Sequence, residues 1–342
     1  MKRTLLIAGL ILIAAAGLVS AAPFKIALSN SFMGNDWRQE MEKVAQAVAS
    51  KDYFTSKASL TIINCDNTPE AQSDSIDSLV KQGYNAILVD AASPTALNPA
   101  IDRAIAAGVV VVSFDQVVTD PKAYKIDTDF NKVPTIQAMY IAKAIGGKGD
   151  IVVDRGLPGA PISKQLEDGA RAVFAKYPGI KIVAGFDGQY AQGPTLDGMN
   201  SILASRPKID AVFTQGYTGP VIKALTDAGD AMVPMSGFAY NGDMLACLDN
   251  KVKVIIANNL PGLGAIAYKT AIDVLNGKRP VNHLVIDPMF LATDTSINVG
   301  VPLVKIEEGV TALRDMPYGF DWPVLPKDFP VQLTAQEAAV TQ

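Results

Sequence analysis

From Phe24 onward the chain alternates short β-branched runs with amphipathic helical stretches, and this rhythm constrains the fold more than any other feature. Such alternation builds a parallel sheet covered by helices on both faces, so the expected class is doubly wound α/β. Strand-like runs fall at Lys25–Leu28, Leu60–Ile63, Ala86–Val89 and Val109–Phe114, with helix-like runs at Trp37–Ala49, Pro69–Lys81 and Leu97–Ala107. Gly83 and Gly108 close the last two helices. After Asp127–Asn131 the rhythm restarts. Strand-like runs recur at Ile151–Val153, Lys181–Ala184, Ala211–Thr214, Met232–Ser236 and Val252–Ala257, with helix-like stretches at Ser163–Lys176, Thr195–Ala204 and Val221–Ala228. Two similar half-chains predict two lobes joined by a hinge, and 342 residues suit two domains.

The start of the chain reads as an address. Lys2 and Arg3 precede an apolar run from Leu5 to Leu18, and Val19-Ser20-Ala21 supplies a small-residue cleavage site. The run is shorter than a bilayer span, so residues 1–21 are expected to be a signal peptide cut after about Ala21 and the mature protein to be exported.

Charge and composition remove several functions. Thirty basic residues against 34 acidic ones leave no excess to neutralise a phosphate backbone, so nucleic acid is not an expected partner. His283 is the single histidine, which leaves little material for a His-based triad or zinc site, and GxSxG and GxxxxGK[ST] are absent. The expectation is a binding protein rather than an enzyme, with no cofactor and no metal. Gly262-x-Gly264-x-x-Ala267 departs from a dinucleotide fingerprint by its late position, and tight helix packing explains its glycines better. Asp127-x-Asp129-x-Asn131 starts like a calcium loop, but Lys132 and Ala138 replace its glycine and its closing glutamate. Cys65 and Cys247 fall in different lobes and are expected to be free.

A doubly wound sheet offers its ligand crevice outside the carboxyl ends of its strands. The residues there are polar and aromatic: Ser29 to Arg38, Asp115-Gln116, Asp154-Arg155, Asp187 to Tyr190, Gln215 to Tyr217, Ala239 to Asn241 and Asn258-Asn259. Planar donors and acceptors suit the hydroxyls of a polyol ring, and aromatic rings suit its C–H faces.

At these residues the chain resembles a periplasmic sugar-binding protein of the ribose-binding, type I family, which delivers sugars to an ABC importer. The resemblance runs from about Phe24 to about Pro302. Its motifs are Lys25–Leu28 followed by Asn35-Asp36-Trp37, Ala86–Asp90, Ala107 to Asp115, Asp210–Gln215, Ser236-Gly237-Phe238, and Ala257 to Pro261. It implies a first lobe of residues 22–129 plus 260–290, and a second lobe and tail of 130–259 plus 291–342. Three crossing segments are placed near Asp127–Asn131, Asn258–Pro261 and Pro288–Leu291. The implied partners are a sugar or polyol and a permease in the inner membrane, with the protein itself a monomer.

The resemblance also implies ligand positions. Asn35 stands at a sugar-hydroxyl ligand, Trp37 at a stacking aromatic and Asp115 at the acidic ligand closing the fourth strand. Lys164 stands near a family arginine, Tyr190 near a second stacking aromatic and Asn259 near an amide ligand at the hinge. Gln116 replaces an arginine, Gly216 an asparagine and Ala239 an aspartate, which argues against ribose itself. Arg38, Arg155, Tyr217 and Asn241 are placed to substitute, pointing to another sugar, a polyol, or a sugar acid held by Lys164 or an arginine. Plainer readings stand beside these: Trp37 as a staple of the first helix onto the sheet, Asp115 as a turn cap, and Lys164 on a solvated helix face. A receptor presenting the same cleft to a sensor kinase or chemoreceptor is the alternative function. The tail from Pro317 to Pro330, rich in proline and aromatics, is expected to strap across the surface rather than add a repeat.

Overall fold

The computed structural model describes residues 23–159, 161–205 and 208–339, so the expected signal segment lies outside the described residues. The first half runs β1 (Phe24–Asn30), α1 (Asp36–Ala49), α2 (Asp52–Thr55), β2 (Ala58–Asn64), α3 (Pro69–Lys81), β3 (Ala86–Asp90), α4 (Asn98–Ala106), β4 (Val110–Phe114) and β5 (Tyr124–Thr128). The second half runs α5 (Lys132–Ala144), β6 (Lys148–Asp154), α6 (Pro161–Phe174), β7 (Gly179–Phe186), α7 (Gln192–Leu203), β8 (Ala211–Phe213), α8 (Gly219–Ala228), β9 (Met235–Phe238), α9 (Asn241–Asp249) and β10 (Val254–Asn258). Then follow α10 (Leu263–Leu275), β11 (His283–Ile286), β12 (Met289–Ala292), β13 (Val304–Lys305) and α11 (Ala335–Ala338).

Two sheets result, and each is the centre of a lobe. The first has strand order β11-β5-β4-β3-β1-β2, with every pairing parallel. The second has order β13-β12-β10-β9-β8-β6-β7, parallel except where β12 runs against β10. Central strands such as β3 are buried along their whole length, because helices cover both faces of a parallel sheet. β9 begins at Met235, three residues later than its apolar run, since Pro234 has no N–H to give a ladder.

In α1 the buried stripe Met41, Val44, Ala45 and Val48 follows the helical repeat and faces the first sheet. There it meets α10, although α10 follows a strand of the second sheet. The glycines preceding and opening α10 are needed for this approach. A Cβ on Gly264 would lie 2.8 Å from the Met41 sulfur, and one on Gly262 would lie 2.1 Å from the Val324 carbonyl oxygen.

The chain passes between the sheets after β5, after β10 and between β11 and β12. It then crosses once more, which departs from the expected layout. Residues up to Ala312 pack with the second lobe, whereas Phe320, Val324, Leu325, Phe329, Leu333, Ala338 and Ala339 join the core of the first lobe. Residues 320–339 therefore do not belong with the second lobe. Their apolar side chains cover the outer faces of α1 and α10, and Lys51 pairs with Glu337 at the end. The tail is irregular, as its prolines require, and of its aromatic residues Phe320 and Phe329 are buried while Tyr318 and Trp322 are half-buried. Cys65 and Cys247 are free thiols, and among the described residues no helix is long and apolar enough to cross a membrane.

If the tail is an integral part of the first core, Leu325→Ala should lower unfolding stability by about 2–3 kcal/mol in urea titration. An unchanged midpoint would show the tail to be dispensable packing.

Candidate functional site

The carboxyl ends of the strands in both sheets face the gap between the lobes, and the hinge strand β10 ends there in Asn258-Asn259. Asn259 is the junction of the gap. Its amide nitrogen donates to Asp115 Oδ1 at 3.1 Å, its amide oxygen accepts from Thr128 Oγ1 at 2.6 Å, and its backbone carbonyl accepts from Trp37 Nε1 at 2.7 Å. Three of the expected ligand residues, Trp37, Asp115 and Asn259, are thus brought together.

Their roles differ from the expectation. Trp37 is 8% exposed and its ring lies in the first-lobe core, so it staples α1 to the sheet and holds the hinge carbonyl instead of offering a face for stacking. Asp115 adopts φ +55° just past β4, which turns the chain sharply. Burial pushes its carboxyl up, and Asp127 adds to this, against the opposing pull of Arg38 and the Asn259 amide.

Arg38 is likewise enclosed by protein partners. Only 2% exposed, it forms an ion pair with Asp90 at 2.6 Å, donates to Asn30 Oδ1, and carries the Phe32 ring 4.5 Å from its guanidinium carbon. Burial lifts the Asp90 carboxyl to about 8 in spite of Arg38. Asn35 caps α1 by accepting from the Arg38 backbone N–H at 2.9 Å, and half-buried, it stands at the lip of the gap. Gln116 has an exposed side chain, while its carbonyl accepts from Ala91 N.

In the second lobe the strand ends are knit by one buried carboxylate. Asp154 accepts from the backbone N–H groups of Gly156, Gly188 and Gln215 at 2.8, 2.8 and 3.1 Å. Gln215 in turn donates to the carbonyls of Asp154 and Ser163 and accepts from the Tyr190 hydroxyl at 3.1 Å. Tyr190, at φ +51°, is held by these bonds, and burial pushes its hydroxyl up to about 12. Arg155 is half exposed beside it and pairs with Asp187 at 2.7 Å.

Tyr217 stacks on Tyr240 with ring centres 4.3 Å apart and donates to Asp36 Oδ2 at 3.3 Å, a hydrogen bond from one lobe to the other. Lys164 and Asn241 stand apart from the gap's chemistry. Lys164 is 76% exposed and pairs with Asp168 along the solvated face of α6. Asn241 is buried and binds the tail, donating to the carbonyls of Leu313, Met316 and Pro317 and accepting from Leu313 N. Neither is placed to touch a ligand.

Several residues that the sequence places at strand ends, without a role of their own, turn out to hold the others. Asp90 and Asn30 hold Arg38, Tyr240 backs Tyr217, and Gln215 locks Tyr190. Their position just at or past strand ends was the available signal. A cavity of about 170 Å³ opens at the flank of the gap between Asp36, Gln39 and Glu40 of α1, Gln192 of α7, and Pro317–Phe320 of the tail. The tail's part in that wall had no sequence signature, because it depends on where the chain returns.

Residues 26–279 match the family model described as periplasmic binding protein domain. The chain belongs to that family. Its members bind solutes and work outside the cytoplasm, which agrees with the two-lobed sheet architecture above. The chain is 25% identical over 274 residues to the ribose import binding protein of Bacillus subtilis, spanning 79% of this chain and 87% of the relative. It is 28% identical over 178 residues, about half of each protein, to a xylitol-binding protein of Mycolicibacterium smegmatis. A solved ABC transporter solute-binding protein from Thermobispora bispora superposes with a TM-score of 0.67 at 30% identity, covering 78% of this chain and 84% of that one. The family match ends before the tail that crosses back to α1.

The Asn259 junction can be tested by Asn259→Asp, which removes the donor to Asp115 and sets a second carboxyl against one already raised. A group with a raised folded pKa loses stabilisation as pH climbs from the unfolded value toward the folded one. The variant should therefore melt well below wild type near pH 8 and recover most of the difference near pH 4 to 5. A pH-independent deficit would refute the Asp115 contact.

Proposed function

We propose that this chain is an exported receptor that captures a neutral monosaccharide or polyol between its lobes and hands it to an ABC permease. In this reading it is a monomer in the periplasm, freed of its signal segment after about Ala21, and it performs no chemistry on its ligand. The observation that carries the reading is that polar and aromatic side chains from both lobes meet at one gap, with Asn259 at the hinge between them.

The charges of the gap favour an uncharged guest. Each cation once expected to hold a sugar acid is already paired: Arg38 with Asp90, Arg155 with Asp187 and Lys164 with Asp168. Asp115 adds a carboxyl that no cation pairs directly, which would repel an anionic ligand. Hydroxyl groups, in contrast, can bond to Asp115, Asn35, Gln116 and the outer side of Arg155, with Tyr190 and Tyr217 as apolar walls. The ribose and xylitol named for the two relatives are a pentose and a pentitol, of a size such a gap accepts.

Binding then drives closure through differential affinity. Groups of both lobes reach one ligand only in the shut form, so the ligand stabilises that form over the open one. The permease would read the closed shape. Nothing in the site favours presentation to a sensor kinase over this role.

A thermal-shift screen of pentoses, hexoses, polyols and uronic acids tests the reading. A neutral ligand at about a thousandfold excess over its dissociation constant adds about 4 kcal/mol to native stability, a shift readily seen. Asp115→Ala should abolish that shift and leave the unliganded melting point within a few degrees of wild type. A response confined to uronic acids, or retained in full by the variant, would overturn the proposal.

A further inference from the structure

The tail's return from the second lobe to the first passes through a single peptide unit that is bonded to both. The carbonyl of Phe320 accepts from Asn241 N, in the second lobe, at 2.8 Å. The N–H of Asp321, the other half of that peptide, donates to Glu40 Oε2 of α1, in the first lobe, at 2.8 Å. On the second-lobe side the tail is held further by Gly242 N bonding to the Tyr318 carbonyl, by the Tyr318 hydroxyl on Asp243, and by the Asn241 side chain. On the first-lobe side Phe320 and Leu325 are buried in the core. Lobe separation at this flank must therefore break one of the two bonds of the 320–321 peptide.

The first-lobe bond is the one whose strength depends on a proton. Glu40 and Asp321 are both buried, and each has an oxygen, Oε1 and Oδ1, without a hydrogen-bond partner. Asp321 and Asp36 act on Glu40, Asp243 and Asp36 act on Asp321, and the Tyr240 hydroxyl faces Asp321 with Tyr217 and Tyr318 beyond; no lysine, arginine or histidine stands among these groups. Two buried carboxylates near each other without a cation repel, whereas a proton on either one removes a charge. Burial, with the charges of Asp321 and Asp36, holds the Glu40 carboxyl well above the ordinary range against the opposing pull of the Asp321 N–H bond, and burial with the charges of Asp243 and Asp36 holds Asp321 well above it too.

We propose that the tail is a fourth, proton-held clasp between the lobes, seated while the Glu40–Asp321 pair carries a proton and released when it loses it. The sign follows from linkage. Seating is complete below the ordinary carboxylate range and weakens as pH rises toward the raised folded values, so alkaline conditions free the lobes and acid closes them. This holds whichever ligand the gap takes, because the clasp stands on the lobe architecture alone.

Glu40→Gln and Asp321→Asn mimic the protonated pair and keep the Asp321 N–H bond available. Hydrogen exchange at the Asp321 amide, corrected for intrinsic chemistry, should quicken about tenfold in the wild type between pH 5 and pH 8, the change expected of one linked proton. In either variant it should change far less. Inter-lobe distances, from spin labels on exposed Gln82 and Lys176 with both native cysteines replaced by alanine, should broaden at pH 8 in the wild type and stay narrow in the variants. Exchange independent of pH, or variants that respond as the wild type does, would overturn the proton's role. A loosened Asp321 amide with unchanged distances would overturn the clasp.

Discussion

The side chain and carbonyl of Asn259 fix where the two lobes can pivot. One residue at the end of β10 engages Thr128 at the first crossing, Asp115 at the end of β4 and Trp37 on α1. Each bond to this half-buried residue is worth about 0.5–1.5 kcal/mol, and together they tie the end of β10 to the first lobe at the hinge. Motion is left to the second lobe, whose own strand ends are tied by the Asp154 carboxylate and its three backbone donors. Two stiff bodies with a short flexible span between them are what capture by closure needs.

The same economy of polar groups shapes the gap. Arg38 looks like a ligand hand in the sequence, yet its guanidinium is enclosed by Asp90, Asn30 and Phe32 and serves to hold the β1 and β3 ends in register. A buried pair of this kind adds little stability over an apolar one, but losing either partner would strand a charge. What remains facing the gap, on the proposed reading, is a set of hydroxyl-matching groups with a carboxyl among them, which suits an uncharged guest better than an anion.

The fold was legible in the sequence because its period is carried by many residues at once. The strands β1, β3, β4 and β10 and the helices α1 and α3 fall within a few residues of their apolar runs. Elements without such a run, α5, α9 and α10 among them, are fixed by packing rather than by local pattern. The site was legible as a set of strand ends and much less so as individual roles. Trp37 and Arg38 are neighbours at a helix start, and only the tertiary partners, a hinge carbonyl and a buried aspartate, decide that both are engaged by protein groups. Asn241 illustrates the same limit, since its partners lie more than seventy residues onward in a tail whose course no periodicity encodes.

Among the described residues, hydrogen bonds that join the lobes away from the crossing segments include the Asp36–Tyr217 bond and the two bonds of the 320–321 peptide, and the Trp37 bond adds a tie at the hinge itself. At about 0.5–1.5 kcal/mol each, they bias the lobes without locking them. Reversing a 99:1 preference takes about 5.5 kcal/mol of differential binding, and a micromolar ligand has about 8 kcal/mol in total. Ties of this size leave a ligand's binding energy enough to set the balance between lobe arrangements.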